Sequence, residues 1–412
     1  MEQVLERARA ELFDRTLDAD GHEMAPSHTW GEVFGPNAGR IGELAEGMIR
    51  KLGGNNFYNP DRKADDLEIS YDTVWNVRGT DAPSAFDFRR RLEVMDKMGI
   101  RRQLIFPSFA LVASFFATGD ERHHRRLLQA PLPEDEIRAL GRGGIDEYNA
   151  WVIRTTKLSP ERLRAVGYII DNGTVEDLMG QAARLLEAGA FAINIPTGSP
   201  PGGVSPADPQ LDPFWKMFED RNAPVLLHIG DEAKFLRSSV WGIAPAFAPG
   251  KVESLEIGLE PYSISTQHYA ACNFLTVMTL GGVFERFPRL RFGVIETGCS
   301  WLGPLAENLD MWARDVHATR LKPFISMLPS QYLARNVRVT PFNNFERVEE
   351  QIRRYPYLVD CYCYSTDYPH IEGGKDIKEV FAKKLAPLGY EVMEKFFVTN
   401  AEWILPEATG PM

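Results

Sequence analysis

The stretch TVEDLMGQAARLLEAGAFAINIPT, residues 174–197, joins one helix signal directly to one strand signal. Thr174 stands where a helix N-cap is expected, Asp177 follows three residues later, and Gly189 predicts the end of the helix. The run FAINIPT that follows is short and largely apolar, which is typical of parallel strands covered on both faces. The stretch therefore predicts a helix that packs on a parallel sheet and leads into its next strand.

The same helix-to-strand unit occurs elsewhere in the chain. Ser84 opens SAFDFRRRLEVMDKMGI, which ends at Gly99 and leads into RQLIFPS. Asp212-Pro213 opens DPFWKMFEDRNA, which leads into PVLLHIG. The repeated unit predicts a sheet whose strands all run in one direction.

Eight such strands are predicted. They are LDADGH (17–22), QLIFPS (103–108), RAVGYII (164–170), FAINIPT (191–197), PVLLHIG (224–230), RFGVIET (291–297), NVRVT (336–340) and CYCYSTD (361–367). Eight parallel strands that alternate with helices close into a barrel. We therefore predict an α/β fold, a (β/α)8 TIM barrel formed by residues 1–412 as a single domain. Elaborated loop insertions are expected near 58–80, 109–157 and 234–263.

The composition is that of a soluble globular protein with a large core. Charged residues make up 25% of the 412 positions and hydrophobic residues 44%, with a formal net charge of −11. This acidic balance argues against nucleic acid as a partner. The N-terminus lacks the apolar core of a signal peptide, and no apolar run is unbroken enough to span a membrane. Four cysteines do not form a disulfide framework, so we expect a cytoplasmic protein.

Side chains that can bind a metal stand at the ends of four predicted strands. Asp20 and His22 end the first strand, His228 the fifth, Glu296 the sixth and Asp367 the eighth. Catalytic residues of such barrels lie at the C-terminal strand ends, and residues i and i+2 share a face. Each residue alone is explained as well by a turn or a core position. Together they predict a divalent metal centre with a position left for water or substrate, in which Glu296 is either a ligand or a partner of substrate or ligands.

Other polar and aromatic residues are candidates for proton transfer or substrate contact. His268 precedes a predicted helix and is either a proton carrier or a structural histidine. His28 and Trp30 follow the first-strand motif closely and are expected to line the pocket, as is Trp301. His370 is expected to contact substrate or to orient a metal ligand.

From about Asp18 to Asn400 the chain resembles the aminocarboxymuconate-semialdehyde decarboxylase-like branch (amidohydrolase family 2) of the amidohydrolase superfamily. The motifs that carry the resemblance are DADGH (18–22), HIG (228–230), GGVFERFPRLRFGVIETGCSWL (281–302), PSQY (329–332), STDYPH (365–370) and TNAEWI (399–404). The resemblance implies a (β/α)8 barrel with one divalent metal, usually zinc and in some members manganese. It also implies reactions that include non-oxidative decarboxylation and hydrolysis.

Residue by residue, the resemblance places the metal ligands on Asp20, His22, His228 and Asp367. Glu296 matches the acidic residue of a sixth-strand E-x-G-x-x-W pattern, at a position where many superfamily members carry histidine. Three departures are visible: Ala25-Pro26 replaces a Glu-Pro pair, Gln331 replaces Glu in P-S-E-Y, and an inserted Thr366 precedes Asp367.

For this ligand set the resemblance implies a metal-dependent non-oxidative decarboxylase of an aromatic or unsaturated carboxylic acid. His228, His268 and Asp367 are the expected catalytic residues, with His268 or Asp367 delivering the proton. The alternative is a hydrolase of a C–C, amide or ester bond that uses a metal-activated water. A more remote alternative is a barrel that binds a small molecule without catalysis. The expected partners are one divalent ion (Zn²⁺, or else Mn²⁺), a small carboxylic acid or carbonyl substrate, and a second copy in a homodimer.

Overall fold

A computed structural model of the chain describes residues 1–52, 59–121, 124–125, 128, 132–230, 235–236, 239–247, 261–374 and 376–407. The described strands are all short and pair in parallel with their neighbours. They are β1 (Thr16–Asp18), β2 (Ile100–Ile105), β3 (Leu163–Ala165), β4 (Gly167–Tyr168), β5 (Ile193–Asn194), β6 (Val225–His228), β7 (Phe292–Ile295) and β8 (Val337–Val339). The order is β1-β2-β3 in one sheet and β4-β5-β6-β7-β8 in the other.

The two sheets are continuous in space, because β3 and β4 are one predicted strand interrupted at Val166. The Val166 amide donates to Ile105 of β2, at 2.9 Å, whereas the Gly167 amide donates to Ala192, beside β5, at 2.9 Å. This strand therefore changes its hydrogen-bonding partner from β2 to β5 between two consecutive residues, Val166 and Gly167. Seven of the eight predicted strand positions are filled in this way by regular strands.

The eighth position is occupied by residues 362–368, which form isolated parallel bridges instead of a regular strand. On one side Cys363 donates to Val339 of β8 at 2.9 Å, and on the other Ala19 donates to Tyr364 at 3.0 Å. The Thr366 amide donates to a side-chain carboxylate, that of Asp18, which interrupts the backbone ladder. The predicted (β/α)8 order is thus confirmed, although the regular ladders do not close at this position.

The helices pack around these strands, and short 3₁₀ and π turns join several of them. Their bounds are α1 Glu2–Glu11, α2 Trp30–Val33, α3 Pro36–Leu52, α4 Tyr71–Asn76, α5 Arg91–Met98, α6 Phe109–Thr118, α7 Glu134–Leu158, α8 Val175–Ala188, α9 Asp212–Arg221, α10 Pro261–Thr266, α11 His268–Leu280, α12 Val283–Arg286, α13 Leu302–Met311, α14 Ala318–Leu321, α15 Pro329–Asn336, α16 Val348–Arg354, α17 Ile377–Leu385 and α18 Tyr390–Glu394. Among the described residues, no helix is both long enough and apolar enough to cross a membrane.

The helix predicted between Thr174 and Gly189 is confirmed at both ends. The Thr174 hydroxyl accepts a hydrogen bond from the Asp177 amide at 3.3 Å, and α8 begins at Val175, directly after Thr174. Gly189 ends the helix in the left-handed region, at φ 104°, where a residue without Cβ is favoured. The helix opened by Asp212-Pro213 is confirmed as α9.

The predicted helix start at Ser84 is wrong. Helix α5 begins only at Arg91, although Gly99 ends it as predicted, with φ 66°. The buried Asp65 carboxylate accepts hydrogen bonds from the amides of Ser84, Phe86 and Asp87 at 2.7–2.9 Å. These bonds satisfy the amides in a non-helical turn, and Ser84 itself has φ 58°.

Of the stretches predicted as insertions, 109–157 contains α6 and most of α7, which form the crossover between β2 and β3. Residues 59–80 contain α4, and 239–247 contain two 3₁₀ turns. Residues 58, 122–123, 126–127, 129–131, 234, 237–238 and 248–260 lie outside the described part of the chain. The single-domain organisation stays a prediction.

The barrel interior is an apolar core rather than a channel. It contains residues from the strands, among them Leu17, Leu104 and Leu226, and it is completed by Ile404 and Leu405 from the C-terminal segment. All of these side chains are buried. Polar side chains therefore gather beyond this core, at the C-terminal ends of the strands.

Candidate metal centre

The side chains at the predicted strand ends meet in one buried cluster. His22 Nε2 lies 3.2 Å from Asp20 Oδ1, 3.4 Å from Asp367 Oδ1 and 3.8 Å from Glu296 Oε2. His228 Nε2 lies 3.5 Å from Asp20 Oδ1 and 3.2 Å from Glu296 Oε2. Each of the five residues is at most 5% exposed, so the groups face one another and not solvent.

The two imidazoles present their Nε2 atoms to this cluster. His228 Nδ1 lies 3.0 Å from the Ile229 carbonyl oxygen, which can only accept, so the proton sits on Nδ1 and the Nε2 lone pair is available. The ring of Phe106 stacks on His228 at 4.3 Å and holds its plane. Burial and the charge on His370 lower the pKa of His22 well below its usual value, which keeps that imidazole neutral. Neutral imidazoles are the form that binds metals.

Two of the carboxylates are held on unusual backbone. Glu296 has φ 58° and Asp367 has φ 52°, in the left-handed region that costs a non-glycine residue about 1–3 kcal/mol. The Glu296 amide donates to the Thr340 hydroxyl at 3.0 Å, and the Asp367 amide donates to the Asp20 carbonyl at 2.8 Å. These bonds hold both carboxylates at the cluster.

His370 stands behind Asp367. Its Nδ1 lies 3.0 Å from Asp367 Oδ1, its Nε2 lies 3.1 Å from the Ser108 hydroxyl, and its ring stacks on His22 at 3.7 Å.

The backbone amides of Ser108 and Phe109 donate to Glu23 Oε1 at 2.8 and 2.7 Å, at the start of α6. Burial raises the pKa of Glu23 to about 7, against the effect of these hydrogen bonds.

The chemistry of the cluster fits a divalent cation. Three buried carboxylates, those of Asp20, Glu296 and Asp367, each have an oxygen within 3.8 Å of His22 Nε2 and would repel one another without an opposing charge. Within the described part of the chain, Asp20 Oδ1, His22 Nε2 and His228 Nε2 form no hydrogen bond. Two overlapping groups have ligand atoms within 4.8 Å of one another: Asp20, His22, His228 and Glu296, and His22, Glu296, Asp367 and His370.

The other residues singled out in the sequence have different surroundings. His28 is exposed, and its Nε2 lies 3.0 Å from the Arg62 carbonyl oxygen. Trp30 is fully buried and donates its indole N–H to the Ala25 carbonyl at 2.8 Å. Trp301 donates to the Gly298 carbonyl at 2.8 Å, two residues after Glu296. His268 begins α11, and burial lowers its pKa. None of the contacts described for these four residues joins them to the cluster.

The family of the chain follows from a match that spans both the cluster and the barrel. Residues 18–406 match the amidohydrolase family model. The chain belongs to the amidohydrolase family. No curated protein sequence matches it significantly.

Solved structures share the fold of this amidohydrolase at low sequence identity. An amidohydrolase from Mycobacterium avium subsp. paratuberculosis K-10 aligns with a TM-score of 0.59 and 18% identity, over 95% of this chain and 99% of its own. 5-Carboxyvanillate decarboxylase from Novosphingobium aromaticivorans DSM 12444 was solved in complex with manganese and 4-hydroxy-3-methoxy-5-nitrobenzoic acid. It aligns with a TM-score of 0.54 and 19% identity, over 95% of this chain and 96% of its own. Dihydroxybenzoic acid decarboxylase from Polaromonas sp. JS666, with bound manganese and 2-nitroresorcinol, aligns with a TM-score of 0.52 and 14% identity, over 95% of this chain and 96% of its own.

The amidohydrolase site contains polar residues that were not predicted from the sequence. Asp18 is fully buried. Its carboxylate accepts hydrogen bonds from the amide of Asp20 and from the amide of Thr366, the residue before Asp367. The alternation that places Asp20 and His22 on one face also includes Asp18, so this residue could have been found from spacing alone. Ser108 follows the end of the second predicted strand, but nothing in the sequence connects it with His370, 262 positions later.

Proposed function

We propose that this amidohydrolase is a metal-dependent decarboxylase of an aromatic carboxylic acid. The observation that carries the proposal is the buried cluster of two imidazoles and three carboxylates at the strand ends of an amidohydrolase barrel. Structures with the same fold include decarboxylases of substituted hydroxybenzoates that hold manganese. An unsaturated, non-aromatic carboxylic acid is the neighbouring substrate class.

Asp20, His22, His228 and Glu296 would hold the ion, with Asp367 on the side of His22. When bound, a divalent ion supplies Lewis acidity that polarises a substrate carboxylate or phenolate oxygen. The donor set mixes imidazole nitrogen with several carboxylate oxygens, which suits both Zn²⁺ and Mn²⁺. Zinc is the expectation from the resemblance, and the manganese in the related structures makes Mn²⁺ the second candidate.

Asp367 is the proposed proton carrier. Its carboxylate lies inside the cluster, with Oδ1 between His22 Nε2 and His370 Nδ1. In this role it protonates the ring carbon that carries the substrate carboxyl group. The bond from that carbon to the carboxyl carbon then breaks, its electron pair stays on the ring, and CO₂ leaves. His370, with Ser108 behind it, holds Asp367 in place and can return a proton to it.

We expect substituted hydroxybenzoates to release CO₂ with this protein, and the organic product to take up one deuterium at the former carboxyl position in D₂O. A panel of hydroxybenzoates and vinylogous keto-acids, followed by mass spectrometry of product and headspace gas, measures both. A parallel reaction in ¹⁸O-labelled water separates decarboxylation from hydrolysis, because only hydrolysis places solvent oxygen in the organic product. Labelled oxygen in that product without CO₂ would replace the decarboxylase proposal with the hydrolase.

A cytoplasmic location and a homodimer complete the proposal. The four cysteines are all free thiols, and three of them are buried, which suits a reducing compartment. Exposed apolar side chains that a second copy could cover include Val240, Trp241 and Ile243.

A further inference from the structure

The carboxylate of Asp18 is fully buried at the end of β1 and uses both of its oxygens. Oδ2 accepts from the Thr366 hydroxyl at 2.6 Å and from Gln103 Nε2 at 2.7 Å. Oδ1 accepts from the Thr366 amide at 2.8 Å and from the Asp20 amide at 3.2 Å. Four donors on one carboxylate make a fully satisfied buried acceptor.

These bonds reach the backbone of two proposed metal ligands that are far apart in the chain. Asp18 accepts a hydrogen bond from the amide of Asp20 itself. It also accepts from both the amide and the hydroxyl of Thr366, the residue directly before Asp367. The Asp367 amide in turn donates to the Asp20 carbonyl at 2.8 Å. Because Asp367 has φ 52°, its backbone keeps this conformation only if its surroundings hold it there.

The other side of Asp18 is fixed by a buried amide and a buried guanidinium. Arg91 Nη1 donates to Gln103 Oε1 at 3.2 Å, which leaves Gln103 Nε2 to donate to Asp18. Arg91 Nη2 also donates to the His22 carbonyl at 2.9 Å. A side chain at Gly21 would place its Cβ 2.5 Å from Gln103 Nε2, so a larger residue there would displace the Gln103 side chain. The two segments that carry the proposed ligands Asp20, His22 and Asp367 thus share one hydrogen-bond network.

We propose that Asp18, acting through Thr366, is a positioning residue that sets the separation of Asp20 and Asp367 and thereby the affinity of the metal centre. The inference rests on the proposed metal site. It assigns a role to the threonine inserted between Ser365 and Asp367: the hydroxyl is the second anchor that ties residue 366 to the first strand. Outer partners of this kind orient metal ligands, and their loss costs about 10–100-fold in metal affinity.

The test compares Thr366→Val, which keeps the shape and removes the hydroxyl, with Thr366→Ser, which keeps the hydroxyl. The measurement is the Kd of the chain for Zn²⁺ and for Mn²⁺, by competition with a fluorescent chelator, beside the thermal unfolding of each metal-free protein. We expect Thr366→Val to bind about 10–100-fold more weakly and Thr366→Ser to bind like the wild type. Thr366→Ala serves in place of the valine variant if the latter does not fold.

A purely structural role would lower the metal-free melting temperature and leave the Kd unchanged, because the folded fraction would bind as before. An unchanged Kd in Thr366→Val, or an equal loss in Thr366→Ser, overturns the positioning role and leaves the metal centre standing. Wild-type protein that binds neither ion overturns the metal centre, and this inference with it.

Discussion

His228→Ala is expected to lower kcat/KM for decarboxylation by at least about 10²-fold, because even the loss of an outer partner of a metal ligand can cost that much. The substitution removes an Nε2 atom that lies within 3.5 Å of both Asp20 and Glu296. It leaves two buried carboxylates with one imidazole fewer to hold the cation between them. Steady-state kinetics on the best hydroxybenzoate, together with the metal content of the purified variant, measures the loss.

The matched control is His317→Ala, which removes an exposed imidazole that stacks on Trp312 at 6.0 Å, away from the cluster. It should keep its metal and its activity. Near-normal turnover by His228→Ala would mean that the fifth-strand histidine does not hold the metal, and the ligand set would have to be reassigned.

Asp367→Asn is expected to lower kcat by at least about 10²-fold, the size of a lost general acid–base step, with little change in KM. The amide keeps the shape of the side chain but cannot carry the proton. Asp20, His22, His228 and Glu296 remain, so we expect the variant to hold its ion when the metal is supplied in excess, although it binds the ion more weakly. Single-turnover measurement of CO₂ release, with metal analysis of the same sample, separates a lost chemical step from a lost ion.

Asp360→Asn is the control for this variant, because Asp360 is a half-exposed carboxylate paired with Lys395 on the surface. Such pairs contribute little to stability, so its turnover should match the wild type. If Asp367→Asn decarboxylates at the wild-type rate, another group delivers the proton, and His268 returns as the candidate from the sequence.

The barrel could be predicted because its helices and strands are encoded locally. Thr174 and Gly189 cap α8 through contacts within the helix itself, and the capping rules depend on those contacts alone. Ser84 shows where local rules fail. Its turn is held by Asp65, 19 residues earlier in a stretch without a recognisable pattern, so its cap signal was misleading.

The candidate site could be predicted only in part, for the same reason. The alternation along one strand aligns Asp20 with His22, and the common end of a parallel barrel brings His228 and Asp367 to them. Proximity in sequence was a poor guide beyond that set. Trp30, only eight residues after His22, is bonded to the Ala25 carbonyl. His370 reaches Ser108 across 262 positions, a contact that depends on the closed fold.

The divalent metal content of the purified chain tests the central claim most directly. Elemental analysis of protein prepared without added metal should find one Zn²⁺ or Mn²⁺ per chain. Chelation should abolish CO₂ release, and returning either ion should restore it. Protein that contains no stoichiometric divalent metal and keeps full activity after chelation would contradict the account, because the cluster of Asp20, His22, His228, Glu296 and Asp367 would then have no cation to hold.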